Sequence, residues 1–313
     1  MSTSIRTARS PYENTSSKKP FNHNVPTLIR FIAITLIVAG HFGAVSYGSG
    51  GALLLMMMVG YNIATFKLAK VINTSSIKTV AVMVLKVAIP TVLYAFLLHI
   101  TFGPFRWIDI TLISNFFEVH HPRGFSFWFI EVYVQILAAL MIVLSIPSVR
   151  EALDKHPKDT TLVFVVISSF IFIIADYNWN TENLYSRLPW LMLWLVAFGV
   201  AARYVETLKE KLILSLLFLL MNFAFGFNYF LFIGGLFLVF NPTLVLTEII
   251  KKPVYYIASG SLFIYITHFQ FYSVLEAFGF QNAYIHTAFA IIMGAVTFDI
   301  YNRLINQKLI NKL

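Results

Sequence analysis

The sequence predicts an all-α, polytopic integral membrane protein with about ten transmembrane helices. Of its 313 residues, 58% are hydrophobic and only 12% are charged, whereas a soluble domain carries about 25% charged residues. So little charge cannot cover a water-facing surface, but ten or so segments of about 20 apolar residues would use most of the chain. An open chain in lipid satisfies its backbone polar groups within helices. Composition therefore predicts one helical membrane domain without a soluble module.

Two residue counts exclude other classes of function. The chain has no cysteine, which excludes thiol nucleophiles, disulfides and cysteine-ligated metals. Its formal net charge of +9 would suggest a nucleic-acid partner in a soluble protein. In a membrane protein the positive-inside rule explains such an excess when the charges fall on one side. We therefore expect no nucleic-acid partner. His120 and His121 next to Glu118 could suggest a metal, but adjacent residues diverge on a helix and no second cluster is evident in the sequence, so we predict no metal either.

Ten apolar segments follow one another within residues 27–305, which we predict to form the membrane domain. A polar stretch at 1–26 and a short basic stretch at 306–313 are expected to be cytoplasmic tails. The seventh and eighth segments meet at Gly226-Phe227-Asn228, so the limits of these two are the least well defined. The segments are 27–46, 51–67, 79–101, 126–146, 160–175, 188–205, 212–226, 229–247, 254–276 and 283–304.

The basic residues fall almost entirely on one side of this topology. With the N-terminus inside, 19 of the 23 lysines and arginines lie on the cytoplasmic side. Arg106, Arg123 and Arg187 lie on the opposite side, and Lys86 lies within the third segment. This asymmetry predicts an N-in, C-in orientation.

The first apolar segment carries two residues that hydrocarbon disfavours, Arg30 and His41. They lie eleven positions apart, and at about 100° per residue this comes within roughly 20° of three full turns. One helix face would therefore carry both side chains, some 16 Å apart along the axis, with His41 well inside the bilayer. Ionisable residues within spans are usually functional. On spacing alone, Arg30 is equally compatible with an interfacial residue whose charged end reaches the membrane surface.

A second polar stripe lies in the ninth segment. Ser261, Tyr265 and His268 are spaced i, i+4 and i+7, which places them on one face of a helix. His268 is about as far from the inner end of its segment as His41 is from the inner end of the first, so we expect both histidines at the same depth. Ser261 and Tyr265 are equally compatible with simple hydrogen bonding between helices.

Glu131 enters the fourth segment from the outer side, about five residues from its start. It is expected either to reach the level of His41 or to pair with Arg123 or His121 at the outer boundary. In the first case, the carboxylate, the histidines and Tyr265 would form an acid–base site in a water-poor interior.

Four stretches resemble the membrane acyltransferase-3 family: LIRFIAITLIVAGHFG at 28–43, SGGALLLMMMVGYNIA at 49–64, FSFWFIEVYVQIL at 125–137 and SLFIYITH at 261–268. Proteins of that family transfer acyl groups, commonly acetyl, from a coenzyme-A donor to hydroxyls of surface polysaccharides, peptidoglycan, lipid-linked sugars or small molecules. The resemblance implies acetyl-CoA as acyl donor and a carbohydrate or lipid-linked glycan as acceptor. It also implies a location in the bacterial cytoplasmic (inner) membrane.

The resemblance also assigns roles to individual residues. The family's functional Arg and His fall on Arg30 and His41, and its Ser and Tyr fall on Ser261 and Tyr265. Together with the residues discussed above, they make a predicted site with three parts. The catalytic group is His41, Glu131, Tyr265 and Ser261; the donor-binding group is Arg30, Lys67, Lys70 and Lys78; the acceptor-binding group is His268, Arg123 and Trp128.

The expected mechanism places the phosphates of acyl-CoA at the cytoplasmic mouth, because guanidinium and ammonium groups bind phosphates. The thioester would reach His41 along the first helix, and His41 would take the proton from the acceptor hydroxyl. This mechanism requires one passage that joins Arg30 and His41. The alternative is a proton-coupled transporter or flippase of a polar or lipid-linked molecule, with the buried histidine and glutamate side chains as proton relays. Membrane lipid surrounds the chain in both cases.

Overall fold

The structure is a computed structural model, and it is helical throughout the part of the chain that it describes. The described residues are 24–46, 50–74, 78–102, 107–117, 127–179, 187–242 and 244–306. Within these ranges there is no β-strand, so the all-α prediction is confirmed for them. The cytoplasmic tails predicted at 1–26 and 306–313 lie almost entirely outside the described residues.

Each predicted apolar segment overlaps at least one helix. The helices are α1 (Asn24–His41), α2 (Gly50–Phe66), α3 (Leu68–Thr74), α4 (Lys78–Phe102), α5 (Trp107–Ile110), α6 (Trp128–Ser145), α7 (Pro147–Lys155), α8 (Pro157–Trp179), α9 (Pro189–Tyr204), α10 (Leu208–Ala224), α11 (Tyr229–Phe240), α12 (Glu248–Ser259), α13 (Ser261–Ala277) and α14 (Ala283–Tyr301), with a 3₁₀ turn at Ser114–Phe116 and a π turn at Asn302–Asn306.

Five of these helices, α1, α4, α6, α8 and α14, are long and apolar enough to cross a membrane. Helices α2, α9 and α11 are apolar but shorter. The described part is therefore that of a helical membrane protein, whereas ten crossings and the N-in, C-in orientation stay predictions. Helix α11 departs from the span predicted at 229–247, because it ends at Phe240 and the next residue, Asn241, adopts the left-handed conformation (φ 39°). Its twelve residues span about 18 Å, less than the roughly 30 Å hydrocarbon core.

The prediction of one helix over 254–276 is wrong, because the chain breaks at Gly260. This residue has φ −81° and ψ 3°, which lies outside the α region that its neighbours adopt. The sequence before it forms the separate, lysine-bearing helix α12, and Ser261 becomes the first residue of α13. His268 therefore lies only seven residues into its own helix.

Helices α2 and α9 cross at two glycines and form the centre of the bundle. A Cβ atom on Gly60 would collide with the carbonyl oxygen of Val196, and one on Gly199 with the carbonyl oxygen of Met57. Small residues let the two backbones approach this closely, as is common in membrane helix pairs. Gly51 approaches the carbonyl oxygen of Ala33 in the same way, which fixes α1 against α2.

The site depends on how α13 sits against α1. Helix α1 packs against α2, α12, α13 and α14, and every residue of α13 from 263 to 268 is buried. Arg30 and Ser261 line one cavity, and His41 contacts His268 further along both helices. The two helices therefore run in the same direction, with their polar stripes facing each other.

Candidate functional site

The two histidines of the predicted site are in direct contact. Nδ1 of His41 lies 2.8 Å from Nε2 of His268, and the ring centroids are 5.0 Å apart at an interplanar angle of 13°. His268 is 2% exposed, whereas His41, the last residue of α1, is accessible. This contact places both histidines at the same level of the helix bundle, whereas their depth in a membrane stays a prediction.

Hydrogen bonding assigns the protons on this pair. Nδ1 of His268 lies 2.6 Å from the carbonyl oxygen of Tyr265, and because a carbonyl only accepts, Nδ1 of His268 is the donor. In neutral His268 the lone pair is then on Nε2, so Nδ1–H of His41 donates to it. This leaves the lone pair of His41 on Nε2. The pair thus holds the His41 ring in the tautomer that a general base requires.

The histidine pair lines a cavity of about 190 Å³. Trp128 and Tyr265 belong to this lining, so the structure brings these two predicted residues together with His41 and His268. Sequence reasoning missed the three other described residues of the lining, Phe127, Arg187 and Phe269. The signal for Arg187 was present, since it is one of only three basic residues on the predicted outer side.

Arg30 lines a second cavity, of about 250 Å³. Its polar neighbours there are Asn62, Tyr133, Ser261 and Tyr265. No carboxylate of the described residues lies within ion-pair distance of the Arg30 guanidinium. A guanidinium in such a cavity, with hydroxyl and amide groups around it, suits an anionic ligand such as a phosphate.

The two cavities are separate, and Tyr265 lines both. Tyr265 is 5% exposed, and its ring packs against Phe129 with centroids 5.4 Å apart. Arg30 and His41 thus line different cavities that share Tyr265 in their walls, and a continuous passage from one to the other stays a prediction. The stripe of α13 runs past both cavities, with Ser261 at the Arg30 end and His268 at the His41 end.

Glu131 does not join the histidines. It is 1% exposed, lies in the lining of neither cavity, and its carboxylate accepts hydrogen bonds from Ser114 Oγ and from the backbone N–H of Asn115, each 2.6 Å long. The expectation of a catalytic Glu131 facing His41 is therefore wrong in this structure, because the carboxylate faces the 112–117 segment. The alternative partners Arg123 and His121 lie outside the described residues.

This buried carboxylate belongs to a polar cluster that positions the chain at Arg187. Asn115 donates from Nδ2 to the Arg187 carbonyl oxygen (2.8 Å) and to Gln135 Oε1 (3.0 Å). Gln135 in turn donates from Nε2 to the Leu112 carbonyl oxygen, 2.9 Å away. Asn115 thus links the backbone at Arg187 to α6, which holds Asn115 through Glu131 and Gln135. The side chain of Arg187 lines the histidine cavity.

The three lysines predicted to bind the donor do not line the Arg30 cavity. Lys67 lies between α2 and α3, Lys70 within α3, and Lys78 at the start of α4. Their contact with a donor stays a prediction. Within the described residues no group of three or more His, Cys, Asp or Glu side chains could hold a metal ion, and the prediction that the site uses no metal is not tested by this.

Comparison of the chain with protein-family models, with curated proteins and with solved structures found no match in any of the three. Membership of the acyltransferase-3 family therefore stays a prediction. The four motif residues Arg30, His41, Ser261 and Tyr265 lie along two facing stripes.

Proposed function

We propose that this chain is an integral-membrane O-acyltransferase that moves an acyl group, by default acetyl, from acyl-CoA to a hydroxyl of a cell-surface carbohydrate or lipid-linked glycan. The observation that carries the proposal is the hydrogen-bonded series from His41 through His268 to the Tyr265 carbonyl. It leaves Nε2 of His41 as an acceptor on a residue that lines a cavity. A base held in this way is what hydroxyl activation needs.

In the proposed reaction, the acceptor hydroxyl donates its proton to Nε2 of His41 while its oxygen attacks the thioester carbonyl carbon. The carbon–sulfur bond then breaks, the thiolate of CoA leaves, and it takes the proton from His41. The products are an ester and a free thiol, and His41 returns to its neutral form. His268 keeps the His41 ring oriented, as the third member of a catalytic triad orients its histidine.

The donor is proposed to bind at Arg30, where the guanidinium would meet the phosphates of CoA. For the thioester to reach His41, the side chain of Tyr265 has to move from between the two cavities. Its hydroxyl would then lie near the reacting carbonyl and could donate a hydrogen bond to the oxygen as negative charge develops. Direct transfer and an acyl-imidazole on His41 both use this arrangement.

The position of Tyr265 between the two cavities also supports a second candidate function, a transporter or flippase. Two cavities divided by one side chain resemble a gated pathway, and the histidine pair would serve as the proton relay. Proton-coupled uptake of a polar molecule into vesicles without acyl-CoA would favour this second function.

A thiol assay tests the first function directly, because the chain has no cysteine and a thiol reagent then reports only released CoA. Purified protein would be given acetyl-CoA and an extract of membrane glycans. We expect thiol release that depends on the protein and is abolished in His41→Ala. Arg303→Ala is the control and should keep the full rate, because the Arg303 side chain is 75% exposed in the π turn that follows α14. Full activity in His41→Ala would show that His41 takes no part in the reaction. The absence of thiol release by the wild-type protein would contradict the enzyme proposal.

A further inference from the structure

Arg187 is a half-buried cation in the cavity of the histidine pair. None of the roles discussed above uses its side chain. Among the seven described residues that line this cavity, it is the one with a permanently charged side chain, and the others are aromatic residues and the two histidines. The cavity therefore combines an acceptor nitrogen, on His41, with a guanidinium.

The position of Arg187 is fixed from its backbone. The carbonyl oxygen accepts the 2.8 Å hydrogen bond from Asn115, and the neighbouring Leu188 is 5% exposed. Asn115 is itself 3% exposed and is held by Glu131 and Gln135. A buried polar network of this kind holds its members rigidly, so the side chain of Arg187 starts from a fixed point beside the cavity.

The charge of Arg187 is not neutralised within the described part of the chain. No carboxylate of the described residues lies within ion-pair distance of its guanidinium. The nearby carboxylate of Glu131 instead accepts its short hydrogen bonds from Ser114 and Asn115. A guanidinium facing a cavity in this state is suited to a carboxylate or phosphate of a ligand, which it can bind through two parallel hydrogen bonds.

The size and walls of the cavity restrict the rest of the ligand. Its volume of about 190 Å³ is below the roughly 300–1,000 Å³ of sites for drug-sized molecules, so it would hold one sugar residue. Trp128, Phe127 and Phe269 provide aromatic surface on which the apolar face of a sugar ring can pack.

We propose that the acceptor is an anionic sugar, with a carboxylate or phosphate bound by Arg187 and a neighbouring hydroxyl directed at Nε2 of His41. This inference rests on the proposed function and names the substrate class of the same site. The anionic group could belong to an acidic sugar or to a phosphorylated, lipid-linked one, and both present the same chemistry to the guanidinium.

Ligand-observed NMR titrations of the purified protein test the proposal with three matched probes: methyl glucoside, methyl glucuronide and the phosphate monoester of methyl glucoside. At least one anionic probe is expected to bind roughly tenfold to a hundredfold more tightly than the neutral one, as a charge-assisted hydrogen-bonded pair provides. The preferred anion distinguishes the acidic sugar from the phosphorylated one. Arg187→Gln should abolish the preference, and Arg187→Lys should retain part of it, because lysine keeps the charge but not the paired geometry.

Arg303→Gln is the matched control, since it removes the same charge from the surface and should leave the preference unchanged. Equal binding of all three probes, no binding of any probe up to about 10 mM, or an unchanged preference in Arg187→Gln would overturn the inference. These outcomes leave the thiol assay unaffected. If acetyl-CoA is cleaved in a His41-dependent manner but the anionic preference is missing, the substrate class is wrong and the acyltransferase proposal stands.

Discussion

Nδ1 of His41 lies 2.8 Å from Nε2 of His268, while Nδ1 of His268 lies 2.6 Å from a carbonyl oxygen of its own helix, that of Tyr265. Two histidines joined in this order have only one arrangement of protons when both are neutral. The buried member then acts as a fixed acceptor, and the accessible member presents its remaining nitrogen to the cavity. The pair gives His268 a positioning role that can be separated from the role of His41.

The positioning role predicts different results for two substitutions of His268. His268→Leu removes the acceptor for Nδ1–H of His41, so we expect kcat for thiol release to fall about a hundredfold or more, with KM for acetyl-CoA nearly unchanged. His268→Gln should retain more activity, because an amide can both accept from His41 and donate to the Tyr265 carbonyl. Steady-state kinetics of thiol release measures both values.

The neighbouring Thr267 provides the control, because its hydroxyl donates to the backbone carbonyl of Phe263 in the same helix and Thr267 lines neither cavity. Thr267→Ala should leave kcat within about twofold, as expected for a residue without a partner in the site. Equal losses in the Leu and Gln variants of His268 would show that the residue packs the core rather than orients His41.

Arg30 is predicted to recognise the phosphates of the donor. Arg30→Gln should raise KM for acetyl-CoA by roughly tenfold to a hundredfold and change kcat little. Acetyl-pantetheine carries the same thioester without the phosphates, so the wild-type protein should strongly prefer acetyl-CoA and Arg30→Gln should lose that preference. Arg303→Gln, with a surface guanidinium paired to Asp299, should behave as the wild type. A fall in kcat at constant KM would instead place Arg30 at the reacting centre or in packing.

Tyr265 is predicted both to separate the two cavities with its ring and to donate a hydrogen bond from its hydroxyl. Two substitutions distinguish these roles. Tyr265→Phe keeps the ring between the cavities but removes the hydroxyl, so kcat should fall by about 10²–10³ if the hydroxyl stabilises the developing oxyanion. Tyr265→Ala removes the ring, so water should reach the thioester and acetyl-CoA should be hydrolysed without an acceptor. Thiol release with and without glycan extract measures both effects.

Phe263→Ala is the control for lost volume, since Phe263 is buried on the same helix and lines neither cavity. It should destabilise the protein without producing acceptor-independent hydrolysis. If Phe263→Ala and Tyr265→Ala hydrolyse acetyl-CoA equally, Tyr265 is not the residue that keeps water from the thioester.

The parts of this site that follow regular helix geometry could be predicted from the sequence. Arg30 and His41 share a face because α1 is unbroken from Asn24 to His41, and the spacing of Ser261 and Tyr265 places them together within α13. The break at Gly260 was not predictable from hydropathy, because the segment stays apolar across a residue whose backbone leaves the α region.

The partners of Glu131 and Arg187 were beyond sequence reasoning for a different reason. Glu131 is held by Ser114 and Asn115, 17 and 16 positions away, and Asn115 reaches Arg187 across 72 positions. These separations along the chain follow no helix or strand periodicity, because the contacts depend on how loops fold over α6. A carboxylate in a span indicates an important site, but the sequence does not show whether its partners are a ligand or the chain itself.

The glycine crossing of α2 and α9 predicts a large effect on stability. Gly199→Ala places a methyl group against the carbonyl oxygen of Met57, and because that oxygen belongs to a helix backbone, the helices must separate. We expect a loss of about 1–3 kcal/mol, measured as the free energy of unfolding in mixed detergent. Gly260→Ala is the matched control, because its nearest contact, with the Cα of Ala295, is a looser 3.1 Å. Similar losses in both variants would contradict this account of the crossing.

A capping box starts α10, and its carboxylate predicts a pH-dependent stability. Glu210 Oε2 accepts the backbone N–H groups of Glu206 (2.8 Å) and Thr207 (3.0 Å), which lower the pKa of the Glu210 carboxyl from 4.5 to about 2. A lowered pKa means that the charged carboxylate stabilises the fold above about pH 4.5 and that this contribution is lost as the pH falls toward 2. Near pH 6, Glu210→Gln should therefore unfold at a lower temperature than the wild type, by the equivalent of about 1 kcal/mol. This difference in unfolding temperature should disappear in acid.

Glu206→Gln is the control, because its exposed ion pair with Lys158 contributes little to stability. If the difference between Glu210→Gln and the wild type does not change with pH, the capping carboxylate is not its source.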